Sequence, residues 1–289
     1  MKVAVMTDTN SGMSVEEADG LGVFCIPMPV IIDEKNYIED VNLTQEEFLE
    51  ALSSDAEVST SQPSPGDLMD KWDSILDSGY DEIIYIPMSS GLSSSMQNAQ
   101  IFSEDYDGRI QIADNHRISV TQRQSVLDAL LLAEAGRSAS EIKDVLEKTA
   151  YDSVVYLAVE DLSYLKKTGR VNATAATVGN VLGIKPILRT IGAAFEVRTA
   201  VRGIKKASSR IVEEINTELT TRFKDIRRDE LVIGTAGSFV NRIDAGNWCA
   251  VVKEAFPDIE VFYDDLSCSI ACHTGPNAMG AGISRKVKI

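Results

Sequence analysis

Residues 83–95 have the sequence IIYIPMSSGLSSS, which joins a short apolar run to a loop rich in hydroxyl side chains. The run Ile83–Met88 is typical of a buried strand, and we expect a helix after the loop, ending near Phe102. Four similar runs occur in the first 160 residues, at Val3–Met6, Phe24–Met28, Ile110–Ala113 and Val154–Val159. Helix starts with capping residues, such as Ser14 and Ser138, lie between them. This alternation predicts an α/β fold with a mostly parallel sheet and helices on both of its faces.

The second half of the sequence has a different pattern, typical of an α+β domain. Its expected elements are a helix, a hairpin that turns at Gly192, a long helix, and two strands around a third helix. These lie at Asn172–Leu182, at Ile187–Thr190 with Phe195–Val201, at Lys205–Phe223, and at Leu231–Thr235 and Ile259–Tyr263 around Asn241–Phe256. We therefore predict an N-terminal α/β domain over residues 1–163 and a C-terminal α+β domain over residues 164–289.

The composition excludes several classes of protein. The chain has 289 residues, with 28 Lys and Arg against 44 Asp and Glu, and its net charge is −16. That balance argues against a nucleic-acid-binding protein, because such a surface needs clustered Lys and Arg. No apolar stretch approaches the roughly 18 residues of a membrane span, and Asp8 comes too early for a signal peptide. With four cysteines interpreted as buried free thiols, these features predict a cytoplasmic protein.

One tract opposes the acidic balance of the chain. Between Lys166 and Arg210, ten basic residues accompany the single acid Glu196, so the tract carries +9 and the rest of the chain −25. A solvated helix face accounts for part of this charge. A charge asymmetry of this size also favours docking of an anionic ligand or partner.

Hydroxyl side chains and one histidine form the candidate binding site. Ser and Thr are concentrated in the loops Val58–Pro65 and Met88–Ser95. The second loop follows a predicted strand at its carboxyl end, where ligands bind in parallel sheets. Near the C-terminus, His273 precedes the turn-forming pair Gly275-Pro276. In a purely structural interpretation, the hydroxyls cap helices and form turns, and the histidine is a hydrogen-bonding core residue.

A serine hydrolase is the main alternative on the residues alone. Ser93 would be the nucleophile and His273 the base. Against this, the loop lacks the Gly-x-Ser-x-Gly elbow that exposes a nucleophilic serine. Asp114 and Asp264 are the acids left open as the group that orients the histidine.

Two further alternatives have weaker support. The Ser89–Ser95 loop would bind a phosphate or nucleotide, but it lacks the Gly-Lys-Ser/Thr ending of a P-loop. A metal site at Cys268, Cys272 and His273 would need ligands from elsewhere, and the sequence offers no second cluster. We therefore expect no metal and no cofactor.

Taken together, six segments resemble the DegV family of bacterial fatty-acid-binding proteins. They are Thr7-Asp8, Thr60-Ser61-Gln62-Pro63-Ser64, Ser89-Ser90-Gly91-Leu92-Ser93, Tyr164-Leu165-Lys166-Lys167-Thr168-Gly169-Arg170, Lys185-Pro186-Ile187-Leu188 and His273-Thr274-Gly275-Pro276. Each segment alone is a weak signal. Their order and spacing along nearly the whole chain make the resemblance specific.

The resemblance implies a two-domain fold that holds one long-chain fatty acid in a tunnel between the domains. It implies a non-enzymatic binding subunit of fatty acid kinase, which presents the carboxylate to a kinase subunit that makes acyl phosphate. A transient contact with the membrane surface stays open. By position, Thr60 and Ser93 would donate to the carboxylate with Ser61 and Ser94 close by, and His273 would be the third contact.

Arg170 and Arg202 would then lie at the tunnel mouth or on the surface that faces the kinase. The sequence also departs from the family pattern at two places. Ser94-Ser95 stands where the family usually has Gly and Thr, and Asn277 stands where it usually has Gly. The second departure would change the turn that carries His273.

Overall fold

The structure is a computed structural model that describes residues 2–54, 56–172 and 183–289. The strands of its first half are β1 Val3–Asp8, β2 Phe24–Ile26, β3 Pro29–Ile32, β4 Lys35–Ile38, β5 Val58–Thr60, β6 Glu82–Ile86 and β7 Ile110–Ile112. The helices of this half are α1 Val15–Gly20, α2 Gln45–Leu52, α3 Pro65–Asp77, α4 Ser95–Ser103, α5 Val120–Glu134 and α6 Ala139–Lys148. Short 3₁₀ turns occupy Thr9–Ser11 and Glu104–Tyr106.

Four of these strands form a parallel sheet in the order β2-β1-β6-β7. Successive side chains of a strand point to opposite faces of the sheet. Val5 and Ile84 pack on the side covered by α1, α5 and α6, whereas Met6 and Tyr85 pack on the side covered by α3 and α4. The predicted α/β class, a parallel sheet with helices on both faces, is confirmed.

The second half supplies the strands β8 Ser153–Ala158, β9 Ile184–Thr190, β10 Glu196–Arg202, β11 Leu231–Gly237, β12 Glu260–Asp265 and β13 Met279–Arg285. Its helices are α7 Ser163–Lys167, α8 Ile204–Thr220, α9 Arg242–Ala255 and α10 Cys268–Thr274, with a 3₁₀ turn at Arg228–Glu230. The strands form a six-stranded sheet in the order β10-β9-β8-β13-β11-β12. The pair β11–β12 is parallel and the other neighbours are antiparallel. α8 and α9 cover one face of this sheet.

The expectation that Val154–Val159 joins the parallel sheet is wrong. β8 pairs antiparallel with β13 and β9 in the six-stranded sheet. Its residues are buried on both faces, as in a parallel-sheet strand, so the apolar run does not identify the sheet it joins. A domain boundary between residues 163 and 164 stays a prediction. The helix expected at Asn172–Leu182 lies, apart from its first residue, outside the described residues.

A small antiparallel sheet, β4-β3-β5, has no counterpart in the sequence analysis. Its hairpin turns at Asp33 and Glu34, which both have positive φ angles, +47° and +65°. Hairpin turns of this kind are usually marked by Asn-Gly or Asp-Gly, and this pair lacks that signal. β5 ends at Thr60, so this sheet places the first hydroxyl loop.

An apolar core joins the two larger sheets. It includes Met88 and Leu92 from the loop after β6, Ile118 before α5, Leu188 of β9 and Ile270 of α10. The carboxyl end of β6 therefore faces the six-stranded sheet across apolar side chains. Among the described residues, no helix combines the length and the apolar character needed to cross a membrane.

Candidate binding site

A cavity of about 220 Å³ lies where this apolar core meets the loops after β5 and β6. Its apolar lining residues are Met28, Met88, Leu92, Ile118, Leu165, Phe195 and Ile270. Its polar lining residues are Thr60, Ser61, Gln62, Ser93, Ser94, Arg170, Ser269, His273 and Thr274. None of the described residues that line it is acidic, although the chain carries a net charge of −16. Such a lining suits an amphipathic anion.

The structure brings most of the predicted site residues to this one cavity. All five predicted head-group residues line it, namely Thr60, Ser61, Ser93, Ser94 and His273, and so does Arg170. Arg202 does not line it. It is the last residue of β10 and is exposed to solvent. The two predicted arginines therefore occupy different environments.

Thr60 and His273 contact each other across the cavity wall. Thr60 Oγ1 lies 3.1 Å from His273 Nε2, and Nδ1 is buried with no hydrogen-bond partner among the described residues. Burial, aided by the positive charge of Arg170, lowers the pKa of His273 to about 4. The imidazole is therefore neutral at pH 7. With its proton on Nε2 it donates to Thr60 Oγ1, which leaves the threonine hydroxyl free to donate to a ligand.

Arg170 forms part of the cavity wall through its side chain. It lies after α7, beyond Gly169, which has φ +71°, and the Arg170 amide donates to the Leu165 carbonyl at 3.1 Å. Its Nε donates to the Leu92 carbonyl at 3.4 Å, and a terminal nitrogen donates to the Thr168 carbonyl. The described hydrogen bonds of the guanidinium go to neutral carbonyl groups. Its positive charge therefore acts on the cavity and on the neighbouring imidazole.

Buried polar contacts hold the serine loop that follows β6. Asp8, at the end of β1, is fully buried, and its carboxylate accepts from the Met88 amide at 3.1 Å and from Gln122 Nε2 at 3.0 Å. Burial raises the pKa of Asp8 to about 6, although these hydrogen bonds lower it. Ser89 donates from Oγ to the Gly192 carbonyl in the turn between β9 and β10. The loop is thus tied to both halves of the chain.

Two glycines allow this close contact between the halves. A Cβ atom on Gly91 would lie 2.3 Å from the Gly192 carbonyl oxygen. Gly192 has φ +107°, and a Cβ there would lie 2.3 Å from the His116 carbonyl oxygen. Only residues without a side chain fit at both positions.

Asn277, which departs from the family pattern, lies in the turn between α10 and β13. Asn277 has φ +54°, a left-handed conformation that asparagine tolerates better than most residues. Its amide donates to the Ser238 carbonyl at 2.8 Å, and its side-chain oxygen accepts from the Val240 amide at 3.2 Å. The asparagine therefore fits this left-handed position of the backbone, and His273 lies in the preceding helix.

The contacts of Ser93 and His273 do not support a serine hydrolase. The hydroxyl oxygens of Ser93 and Ser95 lie 3.1 Å apart and share a hydrogen bond in which either can donate, whereas the histidine contacts Thr60. The presumed nucleophile and base are therefore not paired with each other. An imidazole with a pKa near 4 is also a weak base at neutral pH.

Neither candidate acid is placed to orient the histidine. Asp114 accepts a hydrogen bond from Ser90 Oγ at 2.5 Å, and Asp264 lies 3.5 Å from Arg123. All four cysteines are free and buried. In the part of the chain that the structure describes, no group of three His, Cys, Asp or Glu side chains is placed to hold a metal ion.

Helix α10 contributes lining residues that the sequence analysis missed, in addition to Gln62 of the first loop. Ser269, Ile270 and Thr274 join His273 on the helix side that faces the cavity. Their spacing of one, three and four residues is helical. The sequence signal that could have predicted this helix is its N-cap, Ser267, whose hydroxyl oxygen accepts from the Ile270 amide at 3.2 Å.

These features define an α/β protein with an amphipathic cavity between a parallel sheet and a mostly antiparallel sheet. The sequence model described as an uncharacterised protein of the DegV family matches residues 2–286, and the chain belongs to that family. A DegV domain-containing protein of Listeria innocua is 30% identical over 282 residues, which cover 96% of this chain and 97% of the relative. One from Staphylococcus aureus is 29% identical over 298 residues and is covered completely, as is this chain.

Solved structures of the family share this fold. A DegV family protein from Thermus thermophilus is 26% identical with a TM-score of 0.87, and one from Streptococcus agalactiae is 28% identical with a TM-score of 0.85. DegV from Bacillus subtilis is 26% identical with a TM-score of 0.84. Each comparison covers 99% of this chain and 100% of the other. All three homologues are described as fatty acid binding.

Proposed function

We propose that this protein is a lipid carrier that holds one long-chain fatty acid between the domains 1–163 and 164–289 and presents its carboxylate to a partner kinase. The observation that carries the proposal is the cavity lining, which combines apolar side chains with hydroxyls, a neutral histidine and Arg170, and no acid among the described residues. The fatty-acid-binding homologues support the same ligand class. The protein itself performs no chemistry in this proposal.

The apolar part of the cavity supplies most of the binding free energy. Each methylene group of the tail that is buried contributes about 0.8 kcal/mol, and these contributions add along the tail. Loss of translational freedom and ordering of the tail consume several kcal/mol of that sum. Six of the seven apolar lining residues belong to the core that joins the two sheets. The tail therefore lies against both halves of the chain.

The polar part of the cavity receives the head group. An ionised carboxylate needs hydrogen-bond donors when it leaves water. Thr60 and Ser93 provide hydroxyl donors, His273 orients the threonine, and Ser61 and Ser94 lie beside them. Hydroxyl donors hold the carboxylate less tightly than a bidentate arginine would. The carboxylate oxygen thus stays able to attack the terminal phosphorus of ATP on a kinase, with ADP as the leaving group.

The basic tract offers a docking surface for that kinase. Arg189 and Arg210 pair with glutamates of the same chain. Across residues 2–54, 56–172 and 183–289, Arg202, Lys205 and Lys206 have no acidic side chain within 4.0 Å. Their charge is therefore available to an acidic partner. We place this exchange in the cytoplasm, where the kinase finds ATP and the four buried cysteines stay reduced.

A comparison of oleate with methyl oleate tests the head-group assignment. Thr60→Val and Ser93→Ala each remove a donor to the carboxylate but leave the apolar wall intact, so each should weaken oleate binding about 10- to 100-fold. Binding of the uncharged ester should change less than threefold. Titration calorimetry or a fluorescent fatty-acid displacement assay measures both.

Ser59→Ala is the matched control, because Ser59 is the exposed neighbour of Thr60 on the same strand. It should leave both affinities unchanged. If the two site variants lose affinity for oleate and for its ester equally, Thr60 and Ser93 do not bind the carboxylate.

A further inference from the structure

Glu39 is a buried carboxylate that the proposed site does not use directly. It follows β4 immediately and is 4% exposed. One oxygen accepts from Thr9 Oγ1 at 2.6 Å, and the other accepts from the Cys268 amide at 2.5 Å. Cys268 is the first residue of α10. Glu39 therefore binds the beginning of the helix that carries His273.

The small sheet and α10 are connected at both ends of the helix. At its first residue, Glu39 of the small sheet's β4 edge accepts the Cys268 amide. At its last turn, His273 contacts Thr60, which ends β5 at the other edge of the same sheet. A rigid helix held at its start has little freedom at its end, one and a half turns away. The Glu39 contact and the Thr60–His273 contact therefore lie at opposite ends of one short helix.

Other contacts at the start of α10 do not replace this one. Ser267 caps the Ile270 amide, and Gln45 Nε2 donates to the Leu266 carbonyl at 2.9 Å. These bonds hold the turn before the helix and one later amide, and the side chain of Cys268 donates from Sγ to Gln45 Oε1 at 3.2 Å without binding the helical backbone. Glu39 alone, among the described side chains, accepts from the first helical amide and connects it to β4. Burial raises the pKa of Glu39 to about 7, although the hydrogen bonds from Thr9 and the Cys268 amide lower it.

We infer that Glu39 is a positioning residue for the head-group pair Thr60–His273, acting through the first turn of α10. The inference rests on the proposed function only for the identity of the ligand, because the position of His273 is measurable without one. A purely stabilising residue would change the unfolding free energy alone. A positioning residue also changes carboxylate recognition and the environment of the imidazole.

The experiment compares Glu39→Ala, Glu39→Gln and the control Glu50→Ala. Glu50 is an exposed glutamate on α2, next to this region in sequence. Glu39→Ala removes both contacts and should weaken oleate binding about tenfold or more, with less than a threefold change for methyl oleate. Glu39→Gln keeps an oxygen for the Cys268 amide and should stay within threefold of the original protein for both. Glu50→Ala should change neither affinity.

The second measurement needs no ligand. It is the pKa of His273, determined from the NMR signals of its ring protons. Glu39→Ala should move this pKa upward from about 4 toward its ordinary value near 6.5, because a displaced imidazole gains water. If Glu39→Ala does not fold, Glu39→Asp, one methylene shorter, is measured in the same two ways. Equal losses of oleate and ester, or an unchanged His273 pKa in a folded variant, would overturn the inference.

The proposed function fails in a distinguishable way. If the original protein binds neither oleate nor its ester, the ligand class is wrong. The His273 pKa in the ligand-free variants still decides whether Glu39 positions the imidazole.

Discussion

At the scale of single residues, His273 connects burial to ligand chemistry. Its pKa near 4 follows first from burial and second from the positive charge of Arg170. His273 therefore becomes protonated at a much lower pH in the folded protein than in the unfolded chain. The contribution of His273 to stability is complete above pH 6.5. It is lost as the pH falls toward 4, by up to about 3 kcal/mol at 1.36 kcal/mol per pKa unit.

We expect the His273 ring protons to titrate near pH 4 in the empty protein. A bound carboxylate favours the charged imidazole, so saturation with oleate should raise this pKa by about one unit or more. The chain has two histidines, and His116→Gln assigns the two NMR signals. An empty protein in which His273 titrates near 6.5 would contradict the buried, neutral imidazole.

The sequence predicted which residues come together at the cavity better than the contacts between them. The hydroxyl-rich loops and the rare histidine stand out in composition, and the resemblance to the DegV family singled out Thr60, Ser93 and His273 within them. The contact between Thr60 and His273 spans 213 positions in sequence, and no local pattern encodes such a pairing. Glu39 was not predicted, because an isolated glutamate after an unrecognised strand has no local sequence signal.

At the scale of elements, the contact between the serine loop and the β9–β10 turn holds the cavity together. The capping residues and apolar runs predicted most strands and helices, since these signals act over a few residues. The small sheet and α10 escaped prediction. The β3–β4 hairpin lacks a glycine signal at Asp33-Glu34, and α10 is only seven residues long. β8 was predicted as a strand, but its sheet is set by its pairing with β9 and with β13, and β13 lies more than a hundred residues away.

Gly91→Ala tests this element contact. The added methyl group would meet the Gly192 backbone at 2.3 Å, so one of the two segments must move. We expect a loss of about 1–3 kcal/mol in unfolding free energy, the usual cost of overpacking, together with weaker oleate binding. Urea unfolding and the displacement assay measure the two effects.

Gly246→Ala is the matched control for that change. Gly246 lies within α9, and its Cβ would meet nothing within 4 Å. Alanine there should stabilise the protein by about 0.5–1 kcal/mol through helix propensity. A Gly91→Ala variant as stable as the original protein would show that the two halves do not depend on this contact.

At the scale of the whole molecule, charge separates the two proposed tasks. The cavity proposed for the fatty acid has one Lys or Arg among its described lining residues, Arg170. The surface proposed for kinase docking includes Arg202, which is exposed and does not line the cavity. The fold class followed from strand and helix alternation. Which partner the protein binds depends on its surface residues, and the periodicity of apolar residues does not predict that choice.

Arg202→Ala should therefore separate binding from phosphorylation. We expect oleate affinity within twofold of the original protein, and acyl-phosphate formation by the partner kinase reduced about tenfold or more. Arg137→Ala is the control, because Arg137 is exposed and pairs with Glu141 of its own helix region. A variant that loses oleate instead would place Arg202 in the lipid site.

The most direct test of the central claim is mass spectrometry of an organic extract from the purified, native protein. The account predicts a long-chain fatty acid at close to one molecule per chain, and its displacement by added oleate. An extract without fatty acid, from a folded protein that also fails to bind oleate, would contradict the account.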